Sequence, residues 1–407
     1  MENKQVLDVA AEVGYRLATN GAEIYRVEES VSRILAAYHI SADVYAIPNS
    51  LIICINSTDG EPITKMRRIA FHGNDIDYIE RYSDLSRKIC EETPEPDVAL
   101  SWIFQVEHTH KTYSALFTLL GYFLAGAGFS VFFGGDLFDF LAGGFCGFLV
   151  GIVSRLLNHL RVNSFFVTTA SAFLLALAAY GISNLYAGCN ADCTITGALM
   201  LLVPGLLFTN AMRDVILGDV NSGAIRMVQV LLTAAAIALG TGAAWNLLQA
   251  VWTVPNSIAV AESGILTQVI ASFVACTGFV LVFNIHGSGA ILCSLGAALT
   301  TLVYNITYSQ FGNDLLGFFL GAVFAAAYSE IMARLRKKPA VAYLFISILP
   351  LIPGVGIYFT TNYLVRGDMS AFADSGIHTV EIAGTMAVGI LIVTTLVRLI
   401  YGLKNHK

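Results

Sequence analysis

Leu202-Val203-Pro204-Gly205, followed by Phe208-Thr209-Asn210, and Leu351-Ile352-Pro353-Gly354, followed by Phe359-Thr360-Thr361-Asn362, repeat one pattern inside two apolar segments of this chain. Ten such segments run from residue 114 to 402: 114–133, 137–157, 164–184, 194–212, 223–250, 264–284, 288–306, 314–335, 341–364 and 379–402. A bilayer core of about 30 Å takes roughly 20 helical residues, so each is read as a span. The Pro-Gly pattern recurs five spans apart. Because five is odd, two five-span halves must lie in opposite orientation, the inverted repeat of many secondary transporters. The predicted fold is an all-α polytopic membrane protein with ten transmembrane helices in two inverted five-helix repeats, preceded by a small N-terminal α+β cytoplasmic domain. The expected domains are 1–111, 112–250 and 264–407.

Proline removes a backbone donor and clashes with the preceding turn, while glycine adds freedom. In lipid, backbone groups freed in this way survive where they are buried or line a wet cavity. Two breaks at matching places therefore suggest one site between the halves, with Pro204, Gly205, Thr209, Asn210, Pro353, Gly354, Thr361 and Asn362 as candidate substrate-binding residues. The alternative is a pair of simple kinks that help packing. The dense glycines of the first, second and eighth spans (Gly121, Gly126 and Gly128; Gly143, Gly144, Gly147 and Gly151; Gly317 and Gly321) are read as close helix contacts.

Charge divides the chain. Of its 407 residues 13% are charged, about half the usual share. Residues 1–111 carry 11 Lys/Arg and 18 Asp/Glu, and residues 112–407 carry 12 and 11. The first part is thus an acidic globular head, and the net charge of −6 argues against nucleic acid as a partner. No signal peptide is visible at Met1-Glu2-Asn3-Lys4, so the head is expected in the cytoplasm. With the head inside, twelve Lys/Arg from Lys111 onward fall on the inner side and only Arg366 on the outer. That asymmetry follows the positive-inside rule and makes the chain a multi-pass protein of the plasma membrane with both termini cytoplasmic.

Within the head, Val6, Val9, Ala10, Val13, Leu17, Ile24, Val27, Val31, Ile34 and Leu35 follow a helical stripe that Gly14 and Gly21 could bend or break. Residues 42–47, 51–56 and 62–71 read as strands, with Asp59-Gly60 as a hairpin turn; 76–80 could add another, and 83–91 and 98–107 read as helices.

No G-x-x-x-x-G-K-[ST] loop, H-E-x-x-H or G-x-S-x-G occurs, so no ATP-driven motor, catalytic residue or enzyme activity is expected. Neither a metal site nor a cofactor is expected; His108 and His110 are read as an exposed interfacial pair. The seven cysteines form no disulfide framework, and Cys189 and Cys193, which share an outer loop, are either bridged or two thiols. Ionisable residues inside spans are expensive and informative. Asp214 stands one turn after Asn210; it is either a proton-coupling or ammonium-binding acid, or a local partner of Arg213 or Arg226. Glu330 is read as an intrahelical partner of Arg334, and Asp136 and Asp139 as caps of the second span.

The run Gly21-Ala22-Glu23 with Arg26-Val27-Glu28 resembles the threonine/serine exporter family. So do Leu202-Val203-Pro204-Gly205 with Asn210-Ala211, Asp214, Gly218, Gly223 and Arg226, and, in the later half, Phe283-Asn284, Arg334 to Pro339, Pro350 and Ile352-Pro353-Gly354. The chain looks like the family's two modules fused. The resemblance implies a ten-helix exporter driven by the proton-motive force, with threonine and serine as substrates; the two-protein versions are similar to succinate exporters. The leading expectation is a proton antiporter for a small polar metabolite, with Asp214 as its acid, and a homo-oligomer is left open. Spans nearly free of Lys/Arg except at their ends favour a net-neutral amino acid over a dicarboxylate. A channel, or a sensor whose head binds a ligand through Glu23, Arg26 and Glu28, is the other class; these three residues could equally gate the inner mouth or form solvated pairs on the helix face.

Overall fold

The computed structural model describes residues 2–56, 61–70, 73–186, 188–250 and 263–405. The hairpin expected at Asp59-Gly60 lies outside them. The chain forms two compact units: Met1–Thr112 with Phe283–Ile285, and Tyr113–Val282 with His286–Lys407.

In the first unit, helices α1 (Glu2–Thr19) and α2 (Ile24–Ala37) are divided at Gly21, whose φ of +93° suits a residue without a side chain. Gly14 does not break α1; a Cβ there would press on Leu51 Cδ2 at 2.9 Å, so the glycine permits close packing. Strands β1 (Ala42–Ile47), β2 (Ser50–Asn56) and β3 (Pro62–Arg68) form an antiparallel sheet in chain order. Leu51, Ile53 and Ile55 of the central strand are fully buried, the period of two expected of a half-covered sheet. Helices α3 (Ile76–Glu92) and α4 (Pro96–Thr109) follow. The strand considered at 76–80 is instead the start of α3. Asp75 caps it by accepting from the Tyr78 N–H at 3.2 Å, and Ile76, Ile79, Tyr82, Leu85 and Ile89 recur at helical spacing on its buried face.

The second unit contains α5 (Ala115–Phe132), α6 (Leu137–His159), α7 (Ser164–Leu185), α8 (Ala191–Leu199), α9 (Gly205–Leu217), α10 (Val220–Gln249), α11 (Ile265–Val282), α12 (Gly289–Phe311), α13 (Asp314–Arg336), α14 (Ala340–Ile348), a 3-10 turn at Leu349–Leu351, α15 (Gly354–Arg366) and α16 (Met369–Asn405). Eight of these helices are long and apolar enough to cross a membrane. A ninth span results if Ala340–Leu351 and Gly354–Leu364, bent by 47°, count as one. This is a polytopic membrane protein. The expected fourth span, 194–212, is two short helices, α8 and α9, on either side of a break at residues 200–204.

Small residues set the packing. A Cβ on Gly121 would meet the Gly278 carbonyl oxygen at 2.8 Å and Leu281 Cβ at 2.9 Å, and one on Gly128 would meet Ala275 Cα at 2.8 Å. As α5 advances its partner on α11 recedes, so the two helices run antiparallel with their backbones in contact. Gly143 and Gly126 bring α6 equally close to α5, where a Cβ on Gly143 would sit 2.8 Å from the Gly126 carbonyl oxygen. Asp136 and Asp139 form a capping box at the start of α6, as their spacing suggests. The packing pattern recurs between the halves: α5 on α6 and α11 on α12, α7 on α10 and α13 on α16, α10 on α15 and α16 on α9.

Candidate functional site

The two broken segments meet. Pro204 and Pro353 occupy the N-cap positions of α9 and α15, with φ, ψ of −82°, 43° and −73°, 47°. Both helices are 13 residues long and end on a left-handed glycine, Gly218 and Gly367. Proline suits this place because the first turn of a helix has N–H groups without intrahelical acceptors. A Cβ on Gly205 would lie 3.1 Å from Ile352 Cβ and overlap its Cγ2 methyl. In the opposite sense, a Cβ on Gly354 would lie 3.2 Å from Val203 Cγ1 and 2.8 Å from Met200 Sδ. The third residue of each Val/Ile-Pro-Gly motif thus touches the first residue of the other, the reciprocity of an isologous contact. Here the glycines permit close approach as well as a change of direction. Around the crossing, Phe208, Val230, Ala234, Ile357 and Ala383 form an apolar cluster drawn from both halves.

The Thr-Asn pairs are placed differently in the two helices. Counted from Gly205 and Gly354, Thr209-Asn210 stand fifth and sixth and Thr361-Asn362 eighth and ninth, about one helical turn further on. The Thr361 hydroxyl donates to the Tyr358 carbonyl at 2.8 Å, and Asn362 Nδ2 reaches the Tyr358 hydroxyl at 3.5 Å. Thr209 is buried, and its Oγ1 has no hydrogen-bond partner among the described residues.

Asp214 sits nine residues beyond Gly205, about 13 Å along α9 at 1.5 Å per residue, and so stands apart from the break itself. Its Oδ2 lies 3.2 Å from Arg226 Nη1 of α10, and its Oδ1 lies 4.0 Å from Arg213 Nη2. All three side chains are buried, with relative exposures of 5% for Asp214, 4% for Arg213 and 7% for Arg226. Asp214 and the two arginines therefore form a unit, the local partnership the sequence offered as one alternative; the arginines stand near the end of α9 and the start of α10, and both are buried. The signal was present in the sequence as Arg213-Asp214 inside an apolar segment, where ionised residues are costly. Val203 and Ile352 stand in the repeated motif, but nothing in the sequence shows that each faces the other motif's glycine, and Met200 carries no signal at all.

In the head unit, the Glu28 carboxylate accepts from the Ala46 N–H at 2.8 Å and ties α2 to β1. Arg26 Nε donates to Glu23 Oε2 at 2.8 Å, and Glu23 is buried. Burial works against the charge of the Arg26 guanidinium, but neighbouring Tyr25 and Glu23 together outweigh it and hold its pKa above the ordinary arginine range. His108 is exposed as expected, but His110 is not. The His110 side chain is only 6% exposed, stacks on Tyr78 at 3.6 Å between ring centres, and places Nε2 3.1 Å from Asp75 Oδ2. Asn284 Nδ2 completes this cluster by donating to Asp75 Oδ2 and to the Lys111 carbonyl, each at 3.1 Å. No group of three or more His, Cys, Asp or Glu suited to a metal ion occurs among the described residues.

Cys189 and Cys193 are free thiols, Cys189 Sγ lying 3.6 Å from the Thr194 hydroxyl and Cys193 Sγ 3.3 Å from the Phe133 carbonyl. Glu330 pairs with Arg334 at 2.7 Å within α13, as its spacing suggests.

Two family models match this chain. The ThrE model of threonine/serine exporters matches residues 8–248, and a second model, "Threonine/Serine exporter, ThrE", matches residues 268–396. A threonine/serine exporter of Corynebacterium glutamicum is 21% identical over 372 residues, covering 87% of this chain and 74% of that protein. No solved structure matches. With family models spanning both its halves, the chain belongs to the threonine/serine exporter family.

Proposed function

We propose that this protein is a secondary exporter of threonine and serine, driven by the proton-motive force, in the plasma membrane with both termini cytoplasmic. The observation that carries the proposal is the reciprocal contact of the Pro204-Gly205 and Pro353-Gly354 breaks. A bent span opens backbone groups that lipid cannot satisfy, and two such spans crossing at one point give a polar solute a place between the halves. The antiparallel α5 and α11, and the packing pattern that recurs from α5–α10 to α11–α16, support two inverted five-helix repeats. On this reading α8 with α9 is the tenth span, and the twelve-to-one Lys/Arg asymmetry gives the orientation. Pro204, Gly205, Thr209 and Asn210, with Pro353, Gly354, Thr361 and Asn362, line the route, and Asp214 carries the coupled proton.

Coupling requires that the protonation of Asp214 differ between inward- and outward-open forms. The test is flux in proteoliposomes. Threonine or serine should accumulate against its gradient when a pH gradient is imposed, and a protonophore should abolish that accumulation. Equilibration without accumulation would indicate a channel, and no flux a sensor. Asp214→Asn is expected to abolish proton-driven accumulation in protein that still reaches the membrane; unchanged accumulation removes Asp214 from the mechanism. The buried arginines favour one second reading, a dicarboxylate such as succinate, which the same assay separates by substrate.

A further inference from the structure

The Arg213–Asp214–Arg226 cluster brings a carboxylate and two guanidinium groups together in the interior, all more than nine-tenths buried. The fold does not require this. The second half builds the same turn between helices: α15 begins at Gly354, ends at Gly367 and leads into α16, as α9 begins at Gly205, ends at Gly218 and leads into α10. Counting equally from these glycines, Arg213, Asp214 and Arg226 correspond to Asn362, Tyr363 and Ser375. There the helices are joined by neutral groups, with the Thr360 and Ser375 hydroxyls 2.9 Å apart. Burying ions is generally less favourable than burying well-packed neutral side chains. A charged cluster in one hairpin and a neutral one in its counterpart is therefore the mark of a ligand site.

We infer that this cluster is the receptor for the zwitterionic head of an α-amino acid. The substrate carboxylate is held by the Arg213 and Arg226 guanidinium groups, whose planar forks match it. The substrate ammonium is held by the Asp214 carboxylate. Arg213 Nη2 stands 4.0 Å from Asp214 Oδ1 and Arg226 Nη1 3.2 Å from Asp214 Oδ2, so both signs of charge lie within the reach of one amino-acid head. Thr209, one turn before Arg213 on the same face of α9, offers a buried hydroxyl without a hydrogen-bond partner among the described residues. It provides a contact for the side-chain hydroxyl of serine or threonine.

This arrangement also supplies the sign of the coupling, and in that respect it rests on the exporter reading. A proton and the substrate ammonium compete for the same carboxylate. Asp214 therefore carries either the proton inward or the amino acid outward, which is antiport. Were the substrate a dicarboxylate, it would compete with Asp214 for the arginines, and protonation would promote its binding, which gives symport.

The charged and titratable groups on the elements packed here are few. Arg213 and Asp214 are the charged groups of α9, and Arg226 is that of α10, with exposed Asp219 at the turn before it; α15, packed on α10, carries Tyr358, Tyr363 and, at its last position, Arg366, and α7 carries Tyr180 and no charged residue. On α16 they are exposed Asp374, His378 and Glu381 near its start, with His378 Nε2 2.8 Å from Asp314 of α13, and Arg398 and Lys404 near its end; positions 382–397 carry none.

The experiment is counterflow of labelled serine by the full-length protein in liposomes. Unlabelled serine, glycerate (serine with hydroxyl in place of ammonium), ethanolamine and succinate serve as competitors at several equal internal and external pH values. In the unaltered protein, serine should compete at least about tenfold better than glycerate or succinate, the worth of a hydrogen bond to a charged group. Its competition should weaken as pH falls. In Asp214→Asn that pH dependence and the preference over glycerate should both vanish. Arg213→Gln should weaken serine about tenfold or more while leaving ethanolamine unchanged, and Thr209→Val should weaken serine more than alanine. The wild-type pH profile needs no substitution, so a variant that fails to fold does not protect the idea. Serine counterflow that is insensitive to pH, or glycerate matching serine, overturns the zwitterion receptor and leaves the exporter standing. Absence of counterflow with any amino acid overturns both.

Discussion

Gly205→Ala tests whether the crossing of the two broken spans holds the protein together. The added methyl would lie 3.1 Å from Ile352 Cβ and overlap Ile352 Cγ2, whereas carbon atoms settle at about 3.5–4.0 Å. Rotation alone offers little relief, because Cγ2 is attached directly to Cβ of a β-branched residue whose χ1 is restricted. The N-terminal turn of α9 must therefore move by roughly 1–2 Å away from the 352–354 segment to restore an ordinary carbon contact. Overpacking of this kind costs about 1–3 kcal/mol. Ile352→Ala alone removes three buried carbons and should cost about 2–5 kcal/mol. In the double variant the Cγ2 overlap is gone and only the tight contact with the retained Cβ remains, so the two losses should fail to add by about 1–3 kcal/mol in the stabilising direction. Gly354→Ala is the control. Its Cβ would meet Met200 Sδ at 2.8 Å and Val203 Cγ1 at 3.2 Å, and an unbranched thioether can move aside, so its cost should be about 1 kcal/mol or less. The assay is thermal stability of the four purified proteins in detergent, beside their flux in liposomes. Strictly additive losses, or a Gly354→Ala variant as damaged as Gly205→Ala, would refute the argument.

Three further outcomes concern the head unit. Burial, reinforced by Glu107, raises the Tyr82 phenol above its ordinary value of about 10; above that pH the unfolded chain loses its proton first, so stability falls as pH rises. Tyr82→Phe should lessen this alkaline loss in melting curves of the full protein and cost nothing near neutrality, since the Tyr82 hydroxyl has no hydrogen-bond partner among the described residues. Asn284 has φ +59° and donates to Asp75, so Asn284→Ala should destabilise by about 2–4 kcal/mol from the lost charged hydrogen bond and the left-handed backbone together, and Asn284→Gly by less; equal losses on chemical denaturation would remove the backbone part. Glu28→Gln weakens the tie to the Ala46 N–H and should cost about 1 kcal/mol, read as faster amide exchange along β1.

Much of this protein was legible in its sequence because the relevant physics is local. A bilayer demands long apolar helices, and their runs stand out wherever they are continuous. Pro-Gly marks a break wherever it falls in such a run, and Asp136 with Asp139 marks a helix start at a fixed spacing. The start of α3 was obscured because Ile76–Glu80 also fits a short strand, and only the apolar face continuing to Ile89 settles the period. What the tertiary structure alone decided is which distant residues meet. Ile352 faces Gly205, Asn284 joins the Asp75–His110 cluster, and Arg213 and Arg226, either of which the sequence offered as a partner of Asp214, are both buried beside it. Burial and contact depend on the packing of helices far apart in the chain, and a one-dimensional pattern of hydropathy and charge contains no term for that.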